Sequence, residues 1–271
     1  MPPNSETPDQ AGPPPLLLAR NLSKNRGRAY RLKIPELEIR AGARLLLLGD
    51  SGSGKSTTLD LLALVLKPDR ADDFLWRPEA GAVDLKGLWQ GRRAGRLGRL
   101  RREELGYVLQ TGGLLPFLTV RENILLPARL KKMDSRAQNR RLDELLEKLR
   151  LGHLRAKFPG QISVGERQRC AIARAVIHGP ALILADEPTA SLDPPTADQV
   201  FELLLNLSRD SALIVATHDE GRARRHDFTV LKVVCPPPPA AGGLIEAVLR
   251  PQSGRAGTGG ESVVQAAQAD K

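Results

Sequence analysis

The stretch Gly49-Asp-Ser-Gly-Ser-Gly-Lys-Ser56 fits the pattern G-x-x-x-x-G-K-[ST] of a phosphate-binding loop. Its glycines, Gly49, Gly52 and Gly54, permit the positive backbone dihedrals that let successive N–H groups face an anion. Lys55 is placed to reach the β and γ phosphates of a nucleotide, and the Ser56 hydroxyl can ligate Mg²⁺. The alternative is a glycine- and serine-rich turn that fits the pattern by chance.

The residues on both sides of this loop favour the phosphate-binding interpretation. Arg44-Leu-Leu-Leu-Leu48 is typical of a buried strand, and Lys55 to Leu66 is typical of a helix that leaves the loop. Phosphates bound here would lie at a helix N-terminus, where free N–H groups and the helix dipole favour an anion.

A second stretch, Ile162-Ser-Val-Gly-Glu166, also has the features of a phosphate site. Ser163 and Glu166 form the capping-box pattern, and Arg167 to His178 continues as a helix. A well-capped helix start explains the pattern by itself, but its N-terminus also suits a γ phosphate presented from outside, which Gly165 would let come close. Since one nucleotide does not need two such sites, we predict a dimer. Each nucleotide would contact the first stretch of one molecule and the second stretch of the other.

Two adjacent carboxylates follow the hydrophobic strand in Ala181-Leu-Ile-Leu-Ala-Asp-Glu-Pro188. Neighbouring carboxylates are costly unless cations or different roles separate them. We therefore predict that Asp186 holds hydrated Mg²⁺ and that Glu187 orients and deprotonates an attacking water. The alternative is a plain turn after a strand. Asp193 is predicted to cap the helix that begins at Pro194.

The composition indicates one large aliphatic domain or two small ones. The chain has 271 residues and 3% aromatic residues, so its core is expected to be mainly Leu, Ile, Val and Ala. The longest apolar runs fall short of the roughly 18 residues that cross a bilayer, and the Pro-rich beginning has no apolar signal region. We therefore expect a soluble, cytoplasmic protein. Cys170 and Cys235 have no metal or redox spacing and are expected to be small buried apolar residues.

Much of the formal net charge of +10 is gathered in residues 86–102, where arginines occur without any acidic residue. Such a stretch can contact anionic lipid headgroups or nucleic acid. It can equally be an ordinary solvated face. The sequence leaves both interpretations open.

Short apolar runs alternate with helical patterns through residues 16–235. This is the βα alternation of a largely parallel sheet covered by helices. Within this domain, Ser135 to Leu151 has leucines at the spacing of an amphipathic helix. The segments 1–15 and 236–271 are rich in Pro, Gly, Ser and Ala, and we predict a disordered Pro-rich tail and a low-complexity C-terminal tail.

The order of these motifs resembles that of the ATP-binding cassette (ABC) ATPases, over about residues 16–235. GDSGSGKS resembles their P-loop, ISVGERQR at 162–169 their signature motif, ILADEP at 183–188 their Walker B segment and Asp193 their D-loop. Gln110 resembles the Q-loop glutamine and His218 the switch histidine. The stretches 114–124 and 165–175 are most similar to the lipoprotein-releasing, macrolide-exporting and cell-division ABC ATPases.

The resemblance implies an α/β P-loop fold with a mainly parallel core sheet, an N-terminal antiparallel β part and an inserted α-helical subdomain at about 111–165. It implies ATP and Mg²⁺ as cofactors and ATP hydrolysis as the reaction. The implied catalytic residues are Glu187, His218 and Gln110. The implied Mg²⁺ ligands are Ser56, Gln110 and, through water, Asp186. The residues implied to bind the nucleotide are Gly49, Ser51, Gly52, Ser53, Gly54, Lys55, Ser56 and Thr57, and those implied to contact it from the second molecule are Ser163, Gly165 and Glu166.

Such a subunit would dimerise head to tail around two Mg·ATP, with a second copy of itself or a homologous ATPase subunit, and would drive separate transmembrane permease subunits. It would lie peripherally on the cytoplasmic face of a bacterial inner membrane. One alternative is a regulator of a cell-envelope process that acts through a membrane partner without transport. The other is an ATPase that acts on nucleic acid or ribosomes, which is disfavoured because the sequence has no paired cassettes, long coiled coils or zinc-binding cysteines.

Three places depart from the family pattern. Val164 stands where the signature motif usually has glycine. The aromatic residue that stacks on adenine is not evident near Asn25, and Tyr30 is a shifted candidate. The segment between Pro68 and Gly87 also differs, and no role is evident for its Trp76.

Overall fold

The computed structural model describes residues 15–77, 81–91, 94–221, 225–237 and 243–252. The strands in these ranges are β1 (Leu17–Arg26), β2 (Tyr30–Ile39), β3 (Arg44–Leu48), β4 (Asp73–Trp76), β5 (Val83–Asp84), β6 (Leu105–Val108), β7 (Leu182–Asp186), β8 (Ala212–Ala216), β9 (Thr229–Val234) and β10 (Ile245–Pro251). The α-helices are α1 (Lys55–Leu62), α2 (Leu85–Gln90), α3 (Ala94–Glu104), α4 (Val120–Leu130), α5 (Ser135–Lys148), α6 (Val164–Val176) and α7 (Pro194–Leu207). Two short 3-10 turns are formed by Gly152–Leu154 and Pro159–Gln161.

The strands form one mixed sheet in the order β5-β4-β1-β2-β10-β9-β3-β8-β7-β6. From β9 to β6 every neighbouring pair is parallel, whereas β5, β4, β1 and β2 pair antiparallel. Strand β10 joins the two halves, parallel to β2 and antiparallel to β9. The predicted fold class, with a mainly parallel core sheet and an antiparallel N-terminal part, is confirmed.

Strand β3 is buried on both faces of the sheet. Leu45 and Leu47 belong to one hydrophobic cluster, and Leu46 and Leu48 belong to the other. Successive side chains of a strand point to opposite faces, so an all-leucine strand fits where helices cover both. The burial of these leucines fixes the strand from which the phosphate-binding stretch departs. Trp76 lies in β4, fully buried in the first cluster, so its role is packing.

Residues 111–163 contain helices α4 and α5 and both 3-10 turns, and the described strands lie outside this range. Helix α5 has the predicted apolar face, with Leu142, Leu145 and Leu146 buried, and Leu149 is buried directly after it. Helix α4 packs against both α5 and α6. This part of the chain therefore contacts the sheet-covering helices mainly through α4.

Asn123 of α4 fixes the chain that leads into this helix. Its fully buried carboxamide accepts a hydrogen bond from the Leu115 N–H. The same group donates to the carbonyls of Leu115, Leu118 and Thr119. Because a buried amide is costly to leave unpaired, these bonds hold residues 115–119 in one conformation.

Helix α1 ends at Leu62, before the predicted end at Leu66. Leu64 has a left-handed backbone with φ +59°, and the N–H groups of Val65 and Leu66 both donate to the carbonyl of Asp60. Leu64 is buried, and this burial holds a non-glycine residue in a strained conformation. The apolar pattern alone gave no sign of the turn.

Two predictions for the C-terminal part are wrong. Residues 236–271 were predicted to be a low-complexity tail, but Ile245–Pro251 form β10, in which Ala247 and Leu249 are buried. Cys235 is exposed, because it lies just beyond the end of β9. Cys170 is buried as predicted, and this burial raises the pKa of its thiol to about 12. Of the predicted tails, 1–15 and 236–271, the parts 1–14, 238–242 and 253–271 lie outside the described residues.

The arginine-rich residues 86–102 fall mostly in α2 and α3. Arg99 pairs with a glutamate one turn further on, and Arg101 donates to a backbone carbonyl. Arg102 is exposed, and residues 92–93 lie outside the described ranges. None of the helices in the described ranges combines the length and the apolar character that a membrane span requires.

Candidate nucleotide-binding site

The predicted phosphate-binding loop lies between β3 and α1, at the carboxyl ends of the parallel strands. It opens into a crevice of about 470 Å³, in the position where open α/β sheets bind ligands. The walls come from the loop, the start of α1 and the residues that follow β6, β7 and β8. The lining residues are Ser51, Gly52, Gly54, Lys55, Ser56, Thr57, Gln110, Asp186, Glu187, Ala190 and His218.

Tyr30 of β2 packs against the loop at Gly54. Its hydroxyl donates a hydrogen bond to the carbonyl of Ser53, and a Cβ atom on Gly54 would collide with that hydroxyl oxygen. Gly54 also has φ +109°, a backbone angle that residues other than glycine rarely adopt. Burial raises the pKa of Tyr30 to about 12, so the hydroxyl stays protonated and able to donate. The shifted candidate for adenine stacking is thus bound through its hydroxyl to the loop.

Lys55 begins α1 with a nearly buried side chain. Its ammonium donates to the carbonyl of Gly49 at 2.7 Å and to that of Asp50 at 3.1 Å. It also lies 3.8 Å from a carboxylate oxygen of Glu187. The three donors of an ammonium rotate among acceptors, so Lys55 can exchange a loop carbonyl for a phosphate oxygen.

Asp186 ends β7 with a nearly buried carboxyl group. Burial raises its pKa and the charge of Glu187 raises it further, while a hydrogen bond with Ser56 and the charge of Lys55 lower it. The Ser56 hydroxyl and the Asp186 carboxylate are therefore neighbouring hard oxygen ligands, which Mg²⁺ prefers. Among the described residues no group of three or more His, Cys, Asp and Glu could hold a metal. Gln110 lines the same crevice.

Glu187 follows directly and has different partners. Nδ1 of His218 lies 3.1 Å and 3.0 Å from its two carboxylate oxygens. Its backbone is left-handed, with φ +44°, and its N–H donates to the carbonyl of Ala216 in β8. A strained backbone at a non-glycine residue is typical of functional sites, where the surroundings hold it. The adjacent carboxylates are thus separated, Asp186 toward Ser56 and Glu187 toward His218.

The second predicted phosphate site, residues 162–166, lies at the start of α6. Ser163 caps α6 and forms the predicted capping box with Glu166, whose pKa is lowered by the Ser163 N–H that donates to it. A Cβ atom on Gly165 would lie 3.2 Å from a methyl group of Thr196 in α7, so the two helix starts pack closely. Asp193 caps α7 as predicted. None of the capping residues lines the crevice formed by the described residues of their own chain.

Three contacts at the site have no signal in the sequence, although Tyr30 itself is a shifted candidate for adenine stacking. Ala190 lines the crevice, Tyr30 holds the loop, and Arg174 of α6 bonds to the turn that follows Gln110. Tyr30 and Arg174 contact residues that are far away in the sequence, and Ala190 has no side-chain group that would mark it as a binding residue. Only the assembled fold brings them to the site.

The sequence matches the family described as ABC transporter over residues 32–190. It is 41% identical over 220 residues to the lipoprotein-releasing system ATP-binding protein LolD of Hydrogenovibrio crunogenus, which covers 78% of this chain and 91% of that relative.

The fold is similar to those of solved structures. The dimeric ATP-binding cassette MJ0796, in a post-hydrolysis state bound to ADP and Pi, has a TM-score of 0.65 and 29% identity, and the match covers 80% of this chain and 93% of that one. The structure of cbiO1 from Clostridium perfringens, part of the ABC transporter complex cbiONQ, has a TM-score of 0.64 and 27% identity, with 80% and 85% covered.

Gly54→Ala is expected to abolish measurable nucleotide binding. The added methyl group would collide with the Tyr30 hydroxyl and would sit on a left-handed backbone, so the loop could not keep its shape. Isothermal titration with ATP measures the affinity. Gly152→Ala is the control, because nothing lies within 4 Å of that added atom. Wild-type affinity in Gly54→Ala would show that the Tyr30 contact does not shape the loop.

Proposed function

Because this chain belongs to the ABC transporter family of ATPases, we propose that it closes head to tail with a second copy around two Mg·ATP and drives separate transmembrane subunits. The chain is an ATP-binding and ATP-hydrolysing subunit of the ABC transporter type. The observation that carries the proposed mechanism is the pairing of Glu187 with His218 at 3.0 Å, beside the ammonium of Lys55.

ATP binding is assigned to the loop and the start of α1. The β and γ phosphates would accept hydrogen bonds from the loop N–H groups and from Lys55, at the positive end of the helix. Bound Mg²⁺, held by Ser56, Gln110 and, through water, Asp186, would neutralise charge on the phosphates. The proposed nucleotide-binding residues are Gly49, Ser51, Gly52, Ser53, Gly54, Lys55, Ser56 and Thr57.

Hydrolysis is assigned to Glu187 as general base. Its carboxylate would take a proton from the water that attacks the γ phosphorus, while the bond to the β-phosphate oxygen breaks to release ADP and phosphate. His218 holds that carboxylate through Nδ1, and its side chain is 69% exposed, so a nucleotide in the crevice can contact its ring. The separation of Glu187 from the Asp186–Ser56 pair supports this division of roles.

The capping residues of α6 and α7 are assigned to the nucleotide of the second copy. The first turn of α6 has N–H groups without partners in the helix, and these suit a γ phosphate that approaches from outside. Ser163, Gly165 and Glu166 form this turn, with Asp193 nearby on the neighbouring helix start. Val164 is 44% exposed, and a second copy would cover this apolar side chain.

A second crevice, of about 440 Å³, is the proposed docking site for a transmembrane subunit. It lies between α3, α4 and α6, and its lining combines the apolar Leu126 and Leu130 with the cationic Arg101 and Arg102, without a carboxylate. Leu130 is 52% exposed. This chemistry fits an amphipathic helix that carries an acidic residue. Docking there would hold the chain peripherally at the cytoplasmic face of a membrane, and a regulator without transport would use the same surface.

Glu187→Gln is expected to lower the rate of ATP hydrolysis by about 10²–10⁴, because a carboxamide cannot accept the proton. ATP affinity should be retained. Steady-state phosphate release and nucleotide titration measure the two effects. Glu144→Gln, on the exposed side of α5, is the control and should hydrolyse at the wild-type rate. Near-normal turnover in Glu187→Gln would remove Glu187 from the role of base.

Ser163→Arg, added to Glu187→Gln, is expected to prevent the ATP-dependent dimer. Glu187→Gln alone should bind ATP without turning it over and elute as a dimer, since the nucleotide bridges both copies. The added arginine would block the approach of the second nucleotide, while ATP still binds the loop of each monomer. Light scattering after size exclusion measures the mass. A wild-type protein that stays monomeric while it hydrolyses ATP at full rate would contradict the shared site.

Arg102→Glu is expected to reduce recovery of the membrane partner about tenfold, because reversed charge repels an acidic residue in the docking crevice. The measurement is a pull-down of the tagged chain from detergent-solubilised membranes, with the bound protein identified by mass spectrometry. Arg140→Glu is the matched control on the exposed side of α5. Equal recovery with both variants would show that the transmembrane subunit docks elsewhere.

A further inference from the structure

The guanidinium of Arg174 is bonded to the turn that follows Gln110. Nη1 donates to the carbonyl of Gly113 and Nη2 to that of Gly112, both at 2.8 Å. Among the described residues no carboxylate lies within ion-pair distance of Arg174. Burial lowers its pKa, but the arginine stays charged over the physiological range. A partly buried cation whose partners are two backbone carbonyls is fixed by those carbonyls, and it fixes them in return.

The shape of this turn depends on its two glycines. Gly112 has φ +73° and Gly113 has φ +57°, so two successive residues are left-handed. The N–H of Gly112 donates to the carbonyl of Leu109, and a Cβ atom on Gly113 would lie 2.6 Å from the Leu109 side chain. The turn therefore begins immediately beside Gln110, and its carbonyls face Arg174 in one backbone conformation.

Helix α6 connects this turn with the surface assigned to the second copy. The helix begins at Val164, directly after its cap Ser163, and carries Arg174 near its other end, roughly 15 Å from Val164 at about 1.5 Å per residue. The residues between them include Cys170, Ala171 and Ile172, all fully buried. A helix packed in this way moves as one body, so a displacement at its capped end reaches Arg174.

We infer that Arg174 is a positioning residue for ATP hydrolysis: it sets the place of Gln110 through the carbonyls of Gly112 and Gly113. It links the capped start of α6 with the residue assigned to the cation. When the second copy's nucleotide engages the cap, α6 carries Arg174 and the turn with it, and Gln110 follows. Arg174 also lines the proposed docking crevice, so a partner bound there would act on the same turn through Arg174. This inference rests on the role of Gln110 in the proposed function.

The first arm of the test is a double-mutant cycle in the full chain. Arg174→Lys keeps the charge, but one ammonium replaces the rigid fork that spans two carbonyls. We expect kcat to fall about tenfold with KM for ATP within about twofold of wild type. In the Gln110→Ala background, Arg174→Lys should cost no more than about twofold, because the two residues act as a unit. Arg121→Lys, which alters a hydrogen bond to Asn139 at the surface of α4, is the matched control.

The second arm measures the turn without catalysis. Amide hydrogen exchange in residues 109–118 should be about tenfold faster in Arg174→Lys than in wild type, with exchange in α1 unchanged. If Arg174→Lys does not purify as a folded protein, Gly113→Ala perturbs the same contact from the acceptor side, because its Cβ would meet Leu109. It should give the same loss of kcat and the same lack of additivity with Gln110→Ala.

The outcomes separate this inference from the proposed function. A slow Gln110→Ala together with a full rate in Arg174→Lys overturns the inference alone. The inference is also overturned if Arg174→Lys lowers kcat by the same factor in the wild-type and Gln110→Ala backgrounds, or if amide hydrogen exchange in residues 109–118 is unchanged. A purely structural arginine would give those results. A wild-type rate in Gln110→Ala contradicts the role of Gln110 itself and removes the inference with it.

Discussion

The contact between the Tyr30 hydroxyl and the loop at Gly54 is the constraint on which the nucleotide site depends. It joins a strand of the antiparallel part to the loop that follows the central parallel strand. With Tyr30 in place, the loop keeps a left-handed backbone that only glycine tolerates there. Helix α1 then starts at the crevice, and Lys55 lies between the loop carbonyls and Glu187. The antiparallel part is therefore a structural component of the site.

The two adjacent carboxylates in the crevice, Asp186 and Glu187, have different neighbouring side chains. Asp186 lies beside Ser56, whereas Glu187 is hydrogen-bonded to His218, although the two carboxylates are consecutive residues. The left-handed backbone of Glu187 accompanies this divergence, because it turns the chain sharply at the end of β7. The separation lets one carboxylate serve a cation while its neighbour remains available to a water molecule. The proposed roles of Asp186 and Glu187 therefore depend on the left-handed backbone of Glu187 as well as on the residue types.

Local features of the site could be predicted from the sequence, whereas contacts between distant residues could not. The strand before the loop and the caps at Ser163 and Asp193 depend on neighbouring residues, so their patterns are readable. The contacts of Tyr30 and Arg174 join residues 23 to 62 positions apart, and no spacing rule predicts them.

The errors in the predicted fold have the same origin. Strand β10 was mistaken for part of a low-complexity tail, because its neighbourhood is rich in Pro and Gly and its partners lie far away along the chain. The left-handed turn at Leu64 is held by burial, which an apolar pattern does not distinguish from a continuing helix.

Strand β10 also has a consequence for biosynthesis. This strand lies between β2 and β9 and is hydrogen-bonded to both, yet it follows every other described strand in the chain. Until residues 245–251 have left the ribosome, the nascent domain carries two open strand edges, and such edges pair readily with other chains. A product that terminates before residue 245 would carry those edges permanently. Protection of these two edges during translation thus depends on a strand that is made after all the other described strands.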